Sequence, residues 1–271
     1  MTVPAPSTLA AEGLSLGYGD RRVVEDLTLA IPAGQVTVVV GPNACGKSTL
    51  LRGLARLLAA SAGTVLLDGK SIHATPSREV ALKLGILPQG PVAPDGITVT
   101  DLVSRGRHPH QGYFRRWTAT DDDAVTAALT ATGTLELAAR AVDELSGGQR
   151  QRVWIAMALA QRTGILLLDE PTTFLDVSHQ VEVLDLLTDL NEAEGATVVL
   201  VLHELNLACR YADHLVVMKA GAVVASGDPR EVLTEEIVGT VFDMRCRVVP
   251  DPVSGTPMIV PIGRHRVGGA G

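Results

Sequence analysis

Short apolar runs bounded by glycine turns dominate the first third of the chain. The segments with this pattern are GLSLGYG, VEDLTLAIPAG, QVTVVVG and GTVLLDGK. Runs of this kind predict β-strands, and we expect some of them to pair antiparallel. From Lys47 onwards the apolar residues instead recur at helical spacing, at Leu50, Leu51, Leu54, Leu57 and Leu58. The pattern therefore predicts a strand, then a short loop at residues 41–46, then a helix.

The middle of the chain has few strand signals and several helical ones. In TDDDAVTAALTATG, Thr120 can cap a helix, and the three aspartates that follow favour its positive end. We interpret residues 89–162 as a helical subdomain inserted into an α/β core, which comprises residues 1–88 and 163–245. Residues 1–245 would together form one domain.

Continuous apolar strands return after this insertion. GILLLDE, ATVVLVLHE and HLVVMKAG are typical of strands buried on both faces, with a helix expected from about Ser178 to Glu194. Alternation of strand and helix predicts a mainly parallel sheet with crossover helices. GDPREVLT predicts a further helix start, with Asp228 as the cap and Pro229 in the first turn. Residues 246–271 are expected to form a β-type tail of two short strands with a frayed end.

Composition and charge narrow the possible functions. The 271 residues are 46% hydrophobic, which is ample for a packed core. The longest apolar runs are far shorter than the roughly 18 residues of a membrane span, and the first residues lack the pattern of an export signal. The net charge of -7 argues against nucleic acid as a partner. We interpret the three cysteines as small hydrophobes in a reducing compartment.

The strongest chemical signal is GPNACGKST, from Gly41 to Thr49. It fits the pattern G-x-x-x-x-G-K-[ST], in which glycines let backbone N–H groups close around phosphate oxygens. Lys47 would reach the terminal phosphates, and Ser48 would ligate Mg²⁺. Because the loop lies between a predicted strand and a predicted helix, the segment predicts a nucleotide site.

A second signal is GILLLDEPTTFLD, where a buried strand ends in two acids. Carboxylates at this edge of a parallel sheet lie where ligands bind. Asp169 suits a metal ligand, and Glu170 suits a base that activates water. The alternative is that both acids are solvated groups that merely end a strand.

The third signal is DELSGGQRQRVWIAMALAQR. Ser146 and Gln149 fit a capping box, while Gly147 and Gly148 bare the first amides of a helix that can bind an anion. The apolar face of this helix would run through Val153, Ala156, Met157 and Ala160. Taken alone, the segment is better explained as a helix cap without a ligand.

With GPNACGKST upstream and LSGGQ just before LLLDE, the sequence resembles the ATP-binding subunit of ABC transporters over nearly its whole length. The resemblance implies a P-loop NTPase (RecA-like) α/β core with an antiparallel β subdomain and an inserted helical subdomain. It also implies hydrolysis of ATP with Mg²⁺. In that family, ATP is clamped between the phosphate loop of one copy and the LSGGQ segment of a second copy.

The resemblance assigns individual roles. Tyr18 would stack on adenine, Gln89 would contact Mg²⁺ and the attacking water, Asp176 would couple the two sites, and His203 would hydrogen-bond the γ-phosphate. The implied catalytic set is Lys47, Gln89, Glu170 and His203, and the implied metal ligands are Ser48, Gln89 and Asp169. The implied nucleotide-binding set is Tyr18, Gly41, Pro42, Asn43, Ala44, Cys45, Gly46, Lys47, Ser48, Thr49, Ser146, Gly147, Gly148, Gln149 and Asp176.

Two positions of the phosphate loop carry expectations of their own. Ala44 stands where most relatives have glycine, so we expect a backbone conformation that alanine tolerates. Cys45 would be an incidental neighbour that is sensitive to alkylation.

Three further segments resemble the ATPases of bacterial importers for iron-siderophore complexes, a branch shared with haem and cobalamin importers. They are TTFLD, RGRHPH and CRVVPDPVSGTPMIVP. The resemblance implies membrane permease subunits, an indirect contribution of a substrate-binding protein, and a peripheral place on the cytoplasmic face of the inner membrane. His108 and His110 could ligate a metal, but we expect RGRHPH to dock on the membrane subunit. Alternative functions are a soluble ABC ATPase, an exporter subunit and a P-loop kinase.

Overall fold

The computed structural model describes residues 7–111 and 117–265. Its strands are β1 (Leu9–Tyr18), β2 (Arg21–Ile31), β3 (Val36–Val40), β4 (Ala62–Leu67), β5 (Lys70–Ser71), β6 (Leu84–Leu87), β7 (Ile165–Asp169), β8 (Thr197–Val201), β9 (His214–Lys219), β10 (Ala222–Gly227), β11 (Cys246–Pro250) and β12 (Pro257–Pro261). Its α-helices are α1 (Lys47–Leu54), α2 (Ser77–Lys83), α3 (Val99–Ser104), α4 (Ala119–Ala131), α5 (Gly147–Ala160), α6 (Val177–Glu194), α7 (Leu205–Tyr211), α8 (Pro229–Val232) and α9 (Glu235–Phe242).

A six-stranded sheet forms the centre of the molecule, in the order β10-β9-β3-β8-β7-β6. The five strands from β9 to β6 run parallel, and β10 pairs antiparallel with β9. Val201 lies opposite both Val39 and Asp169, so the carboxyl ends of these strands meet at one edge. The predicted α/β class with a mainly parallel sheet is confirmed.

Alternate residues of the central strands face opposite sides of the sheet, because side chains alternate along a strand. Val39, Leu167 and Val199 pack into a core shared with α1 and an antiparallel sheet of order β2-β1-β4-β5. Val38 and Leu166 face the other core, which is shared with α3 to α7 and α9. The edge formed by the carboxyl ends of these strands is therefore supported on both faces of the sheet by buried apolar side chains.

The first long helix after β6, α4, is capped differently from the sequence prediction. Its cap is Thr118, not Thr120, and the helix begins at Ala119. The carboxylate of Asp121 accepts hydrogen bonds from the Thr118 backbone N–H at 3.1 Å and from its hydroxyl at 2.8 Å. Thr118 and Asp121 thus form a capping box. Thr120 lies inside the first turn of the helix, so it is not the cap.

The RGRHPH segment, which is expected to dock on the membrane subunit, is partly internal, and its exposed residues are Arg105 and His108. It forms a 3-10 helix in which Gly106 and Arg107 are buried. The Arg107 guanidinium bonds the carboxylate of Asp121 at 3.0 Å and the carbonyl of Ala160 at 2.8 Å. A buried charge needs such partners, so Arg107 ties this turn to α4 and α5. Of the two histidines, His110 contacts the Gln161 carbonyl.

The predicted hairpin at the end of the chain is present as β11 and β12, which pair antiparallel. It packs against α7 rather than standing free, as described below. Residues 266–271, which include the predicted frayed end, lie outside the described residues. Across 7–111 and 117–265, no helix is both long and apolar enough to span a bilayer.

The three cysteines are free and buried, as the composition predicted. Burial raises the pKa of the Cys209 thiol to about 12 and also raises the pKa of Cys45 and Cys246. Since the thiolate is the reactive form, the expectation that Cys45 is sensitive to alkylation is not supported.

Candidate functional site

The phosphate-type loop joins β3 to α1 at the carboxyl edge of the parallel sheet. Gly46 has φ 108, a conformation that a side chain disfavours. At Gly41, an added Cβ would lie 2.3 Å from the Met218 carbonyl oxygen, so only glycine fits. The Lys47 ammonium is buried and donates to the carbonyls of Gly41 at 2.8 Å and Pro42 at 3.0 Å. The loop is thus closed around its own lysine, whose charge lies beneath the exposed tip.

The tip of the loop contradicts one expectation. Ala44 has φ 59, which lies in the left-handed region, rather than a conformation that alanine tolerates. The left-handed conformation costs a residue with a Cβ about 1–2 kcal/mol. The loop therefore holds Ala44 in a strained geometry, a feature that recurs where ligands bind.

Replacing Ala44 with glycine is expected to stabilise the nucleotide-free chain by about 0.5–1 kcal/mol, because relief of strain exceeds the entropy cost of glycine. The unfolding temperature should rise by roughly 2 °C in a thermal melt followed by circular dichroism. Ala127→Gly is the matched control, since Ala127 is exposed in the middle of α4 and should lose about 1 kcal/mol. A lower unfolding temperature for Ala44→Gly would contradict the strain argument.

A hydrogen bond between two oxygen-bearing side chains joins the start of α1 to the end of β7. The Ser48 hydroxyl donates to the Asp169 carboxylate at 3.0 Å, and Asp169 is only 4% exposed. Burial raises the pKa of the Asp169 carboxyl, while the hydrogen bond from Ser48 opposes this shift. A hydroxyl and a buried carboxylate at this spacing are ligands that suit a small divalent cation. In the described ranges, no group of three or more His, Cys, Asp or Glu side chains could hold a metal ion.

Glu170 is the centre of a hydrogen-bonded cluster. Its carboxylate accepts from the Gln89 amide at 2.7 Å and from the Thr173 hydroxyl at 3.3 Å, and it pairs with the His203 ring at 2.5 Å. Glu170 has φ 55, so its backbone is also strained. These partners follow the ends of β6, β7 and β8, which the register of the sheet brings together.

An open cleft of about 600 Å³ lies in front of these groups. Tyr18 is 47% exposed at its mouth, and its hydroxyl accepts a hydrogen bond from Arg52 at 3.2 Å. The predicted site residues that line the cleft are Tyr18, Asn43, Ala44, Gly46, Lys47, Ser48, Thr49, Gln89, Glu170 and His203. Of the other loop residues, Gly41 and Pro42 instead bind Lys47, and Cys45 packs into the core.

Sequence reasoning missed two residues of the cleft, Arg21 and Val23. Both lie on β2, and Arg21 pairs with Tyr18, the last residue of β1. A cation at this rim would favour a phosphate-bearing ligand. The available signal was the hairpin itself, because a strand that returns from Tyr18 must pass the same cleft.

The LSGGQ segment lies elsewhere. Ser146 caps α5, its hydroxyl accepts from the Gln149 N–H at 3.3 Å, and the Gln149 side chain accepts from the Ser146 N–H at 3.1 Å. The predicted capping box is therefore confirmed. Ser146, Gly148 and Gln149 line a separate cavity of about 390 Å³ together with Asp176. One chain does not bring them into the cleft in front of the phosphate-type loop.

Asp176 has a structural task in addition to its expected one. Its carboxylate caps α6 by accepting from the His179 N–H at 3.0 Å, and it also bonds the His179 ring at 2.6 Å. The backbone N–H of His179 is the main reason that the pKa of Asp176 falls to about 2. Phe174 beside it is 81% exposed, with φ 68. The loop thus presents an ionised acid and a bare aromatic ring at one edge.

Curated relatives match nearly the entire chain. A protein of Bacillus subtilis (strain 168) named "Probable siderophore transport system ATP-binding protein YusV" is 56% identical over 260 residues, which cover 96% of this chain and 94% of the relative. The ferric enterobactin transport ATP-binding protein FepC of Escherichia coli (strain K12) is 54% identical over 256 residues, with 94% of each chain covered.

Solved structures share the fold. A transporter described as of the metal-chelate type, in an inward-facing conformation, has a TM-score of 0.81 at 29% identity and covers 95% of this chain and 98% of its own. The dimeric structure of the bacterial ABC transporter cassette MJ0796 has a TM-score of 0.73 at 27% identity, with 81% and 98% covered. The family model described as ABC transporter matches residues 24–173. With this match and these relatives, the chain belongs to the ABC transporter family, as a subunit that binds and hydrolyses ATP.

Proposed function

We propose that the chain powers import of an iron-siderophore complex by a membrane ABC transporter, in which two copies bind and hydrolyse ATP between them. The observation that carries the enzymatic part is the position of Glu170 between Gln89 and His203 at the edge of the phosphate-loop cleft. The cargo is inferred from relatives that are named for siderophore and ferric enterobactin transport.

The chain's own groups divide the work of hydrolysis. Tyr18, exposed at the mouth of the cleft, is placed to stack on a base. Lys47 supplies a buried positive charge beneath the phosphates. Glu170 accepts a proton from the attacking water, and Gln89 and His203 hold its two oxygens in place.

The oxygen ligands at the loop fit Mg²⁺. The Ser48 hydroxyl and the Asp169 carboxylate are 3.0 Å apart, and Ser48 and Gln89 both line the cleft. Mg²⁺ usually keeps several waters and takes only one or two protein carboxylates. When bound, it would offset the negative charge of the terminal phosphates.

The two separate half-sites support a dimer. The phosphate-loop cleft and the Ser146–Gln149 helix start are both open, and they line different cavities of one chain. A two-fold dimer can place each phosphate loop against the helix start of the other copy. A second helix start then adds backbone N–H groups to the same phosphates. The dimeric cassette structure supports this arrangement.

The proposed partners are permease subunits in the membrane, with a substrate-binding protein that contributes indirectly. The chain would act on the cytoplasmic face of the inner membrane. The similarity to a metal-chelate type transporter over 95% of the chain supports this assembly. The cargo would contact the other subunits, so haem or cobalamin import is the alternative that uses the same site.

Disruption of the gene is expected to lower uptake of ⁵⁵Fe-labelled ferric siderophore by roughly tenfold or more, because it removes the subunit that supplies the general base, whose contribution to hydrolysis alone is larger than this factor. Wild-type protein should restore uptake, and Lys47→Ala should not. Uptake of labelled haem and cobalamin is measured in parallel. If disruption lowered uptake of haem or of cobalamin and left uptake of ferric siderophore unchanged, the alternative would replace the iron-siderophore proposal.

A further inference from the structure

The hairpin at the end of the chain is attached to α7, the helix that directly follows His203. Asn206 donates to the Ile259 carbonyl at 3.4 Å and accepts from the Ile259 N–H at 2.7 Å. The Arg210 guanidinium bonds the Asp251 carboxylate at 2.8 Å. Both ties run from α7 to residues more than forty positions further along the chain, so they are tertiary contacts.

The turn of the hairpin is itself held by hydrogen bonds, so the hairpin is a rigid support for α7. One oxygen of Asp251 accepts from the Val253 N–H at 2.8 Å and the Ser254 N–H at 3.1 Å, which leaves the other oxygen for Arg210. The Val253 N–H is the main reason that the pKa of Asp251 falls to about 2, so the carboxylate is ionised at neutral pH. Ile259 is 5% exposed and packs in the main core.

The first turn of α7 is also restrained by apolar packing, because Leu205 and Leu207 lie against the core that contains Val38 and Leu166. Further restraints lie in the last turn. Cys209 is fully buried in the last turn, and the Tyr211 hydroxyl donates to Asp185 of α6 at 2.7 Å. In the first turn, the tertiary hydrogen bonds are those of Asn206, three residues after His203. On the other side of His203, the Leu202 N–H donates to the Val39 carbonyl at 3.3 Å, which fixes the chain as it leaves β8. The hairpin therefore contributes the hydrogen-bonded restraint on the helical side of His203.

We propose that the C-terminal hairpin is a positioning element for hydrolysis: through Asn206 and Arg210 it holds α7 so that the His203 ring meets Glu170. The proposal rests on the proposed function of His203. His203 is 45% exposed in its side chain and has Glu170 as its close partner, so packing around the ring does not fix it. A shift of the helix start would separate the ring from the carboxylate.

The test compares steady-state ATP hydrolysis by full-length variants with fluorescent-nucleotide affinity. Arg210→Ala and Asn206→Ala are expected to lower kcat about 3- to 30-fold, the range of a positioning effect through packed elements. Nucleotide affinity should not change, because neither residue lines the cleft. Arg210→Lys should recover most of the activity. Arg247→Ala is the matched control, because Arg247 lies in the same hairpin but pairs with Glu235 on α9.

A second comparison separates positioning from loss of fold. In a His203→Ala background, Arg210→Ala and Asn206→Ala should cause no further loss of kcat, since the group that they position is gone. Asn206→Ala leaves the ion pair intact, so the test survives if Arg210→Ala does not fold. Wild-type kcat in both variants, or an equal loss in the His203→Ala background, would overturn the proposal. Full activity of His203→Ala itself would instead overturn the proposed role of His203.

Discussion

Replacing Glu170 with glutamine is expected to lower kcat for ATP hydrolysis by a factor of about 10²–10⁴, the usual contribution of a general base. The amide has nearly the same shape and can still contact Gln89 and His203, but it cannot take a proton from water. Affinity for MgATP should stay within about twofold of wild type. Phosphate release at saturating MgATP, with fluorescent-nucleotide titration, measures both quantities.

The same variant is expected to accumulate as a dimer when MgATP is present. In the proposed dimer, unhydrolysed ATP would keep bridging the phosphate loop of one copy and the Ser146–Gln149 segment of the other, so the complex should elute earlier in size-exclusion chromatography. Glu182→Gln, an exposed change on α6, is the control and should behave as wild type. Normal turnover by Glu170→Gln would remove Glu170 from the role of base.

Two inactive variants are expected to regain activity when they are mixed. Ser146→Arg blocks the helix start with a long charged side chain, and Lys47→Ala removes the charge beneath the phosphates, so each alone should lose roughly 100-fold or more in kcat. A mixed dimer has one site built from the intact loop of the first variant and the intact helix start of the second. Equal mixing should therefore restore about a quarter of wild-type activity, because half the dimers are mixed and each has one good site.

The matched control mixes Lys47→Ala with Ser48→Ala. Both changes lie in the phosphate loop, so no mixed dimer contains an intact site and no rescue is expected. Full activity of Ser146→Arg by itself would show that the site is complete within one chain. Rescue in the control mixture would show that the regained activity does not come from composite sites.

The chemistry of the nucleotide site could be predicted from the sequence because it depends on residue types at fixed spacing within short segments. The loop of residues 41–49 needs glycines and a lysine at fixed spacing, and the strand that ends at Asp169 shows a continuous apolar run. The end of a buried strand placed Asp169 and Glu170 at the sheet edge, whereas Gln89 and His203 were assigned only through the family resemblance. In the structure, Gln89, Glu170 and His203 all follow parallel strands and meet at that edge. The capping box of Ser146 and Gln149 is likewise a four-residue signal.

What the sequence missed depends on contacts between distant segments. The strain at Ala44 follows from how the loop closes on Lys47, which a residue preference cannot report. The cap at Thr118 follows from Asp121, whose position is set by buried Arg107 fourteen residues earlier. The hairpin reads as a free tail in the sequence, because nothing local reveals that it binds α7.

The burial of the three thiols makes site-specific labelling of the protein practical. All three cysteines lie in the described part of the chain and are shielded. A single cysteine introduced at an exposed position, such as Val253 at 84% exposure, would be the preferred target of a maleimide dye or spin label. Distances between two labelled copies can therefore be recorded during ATP turnover in a protein that keeps its native cysteines.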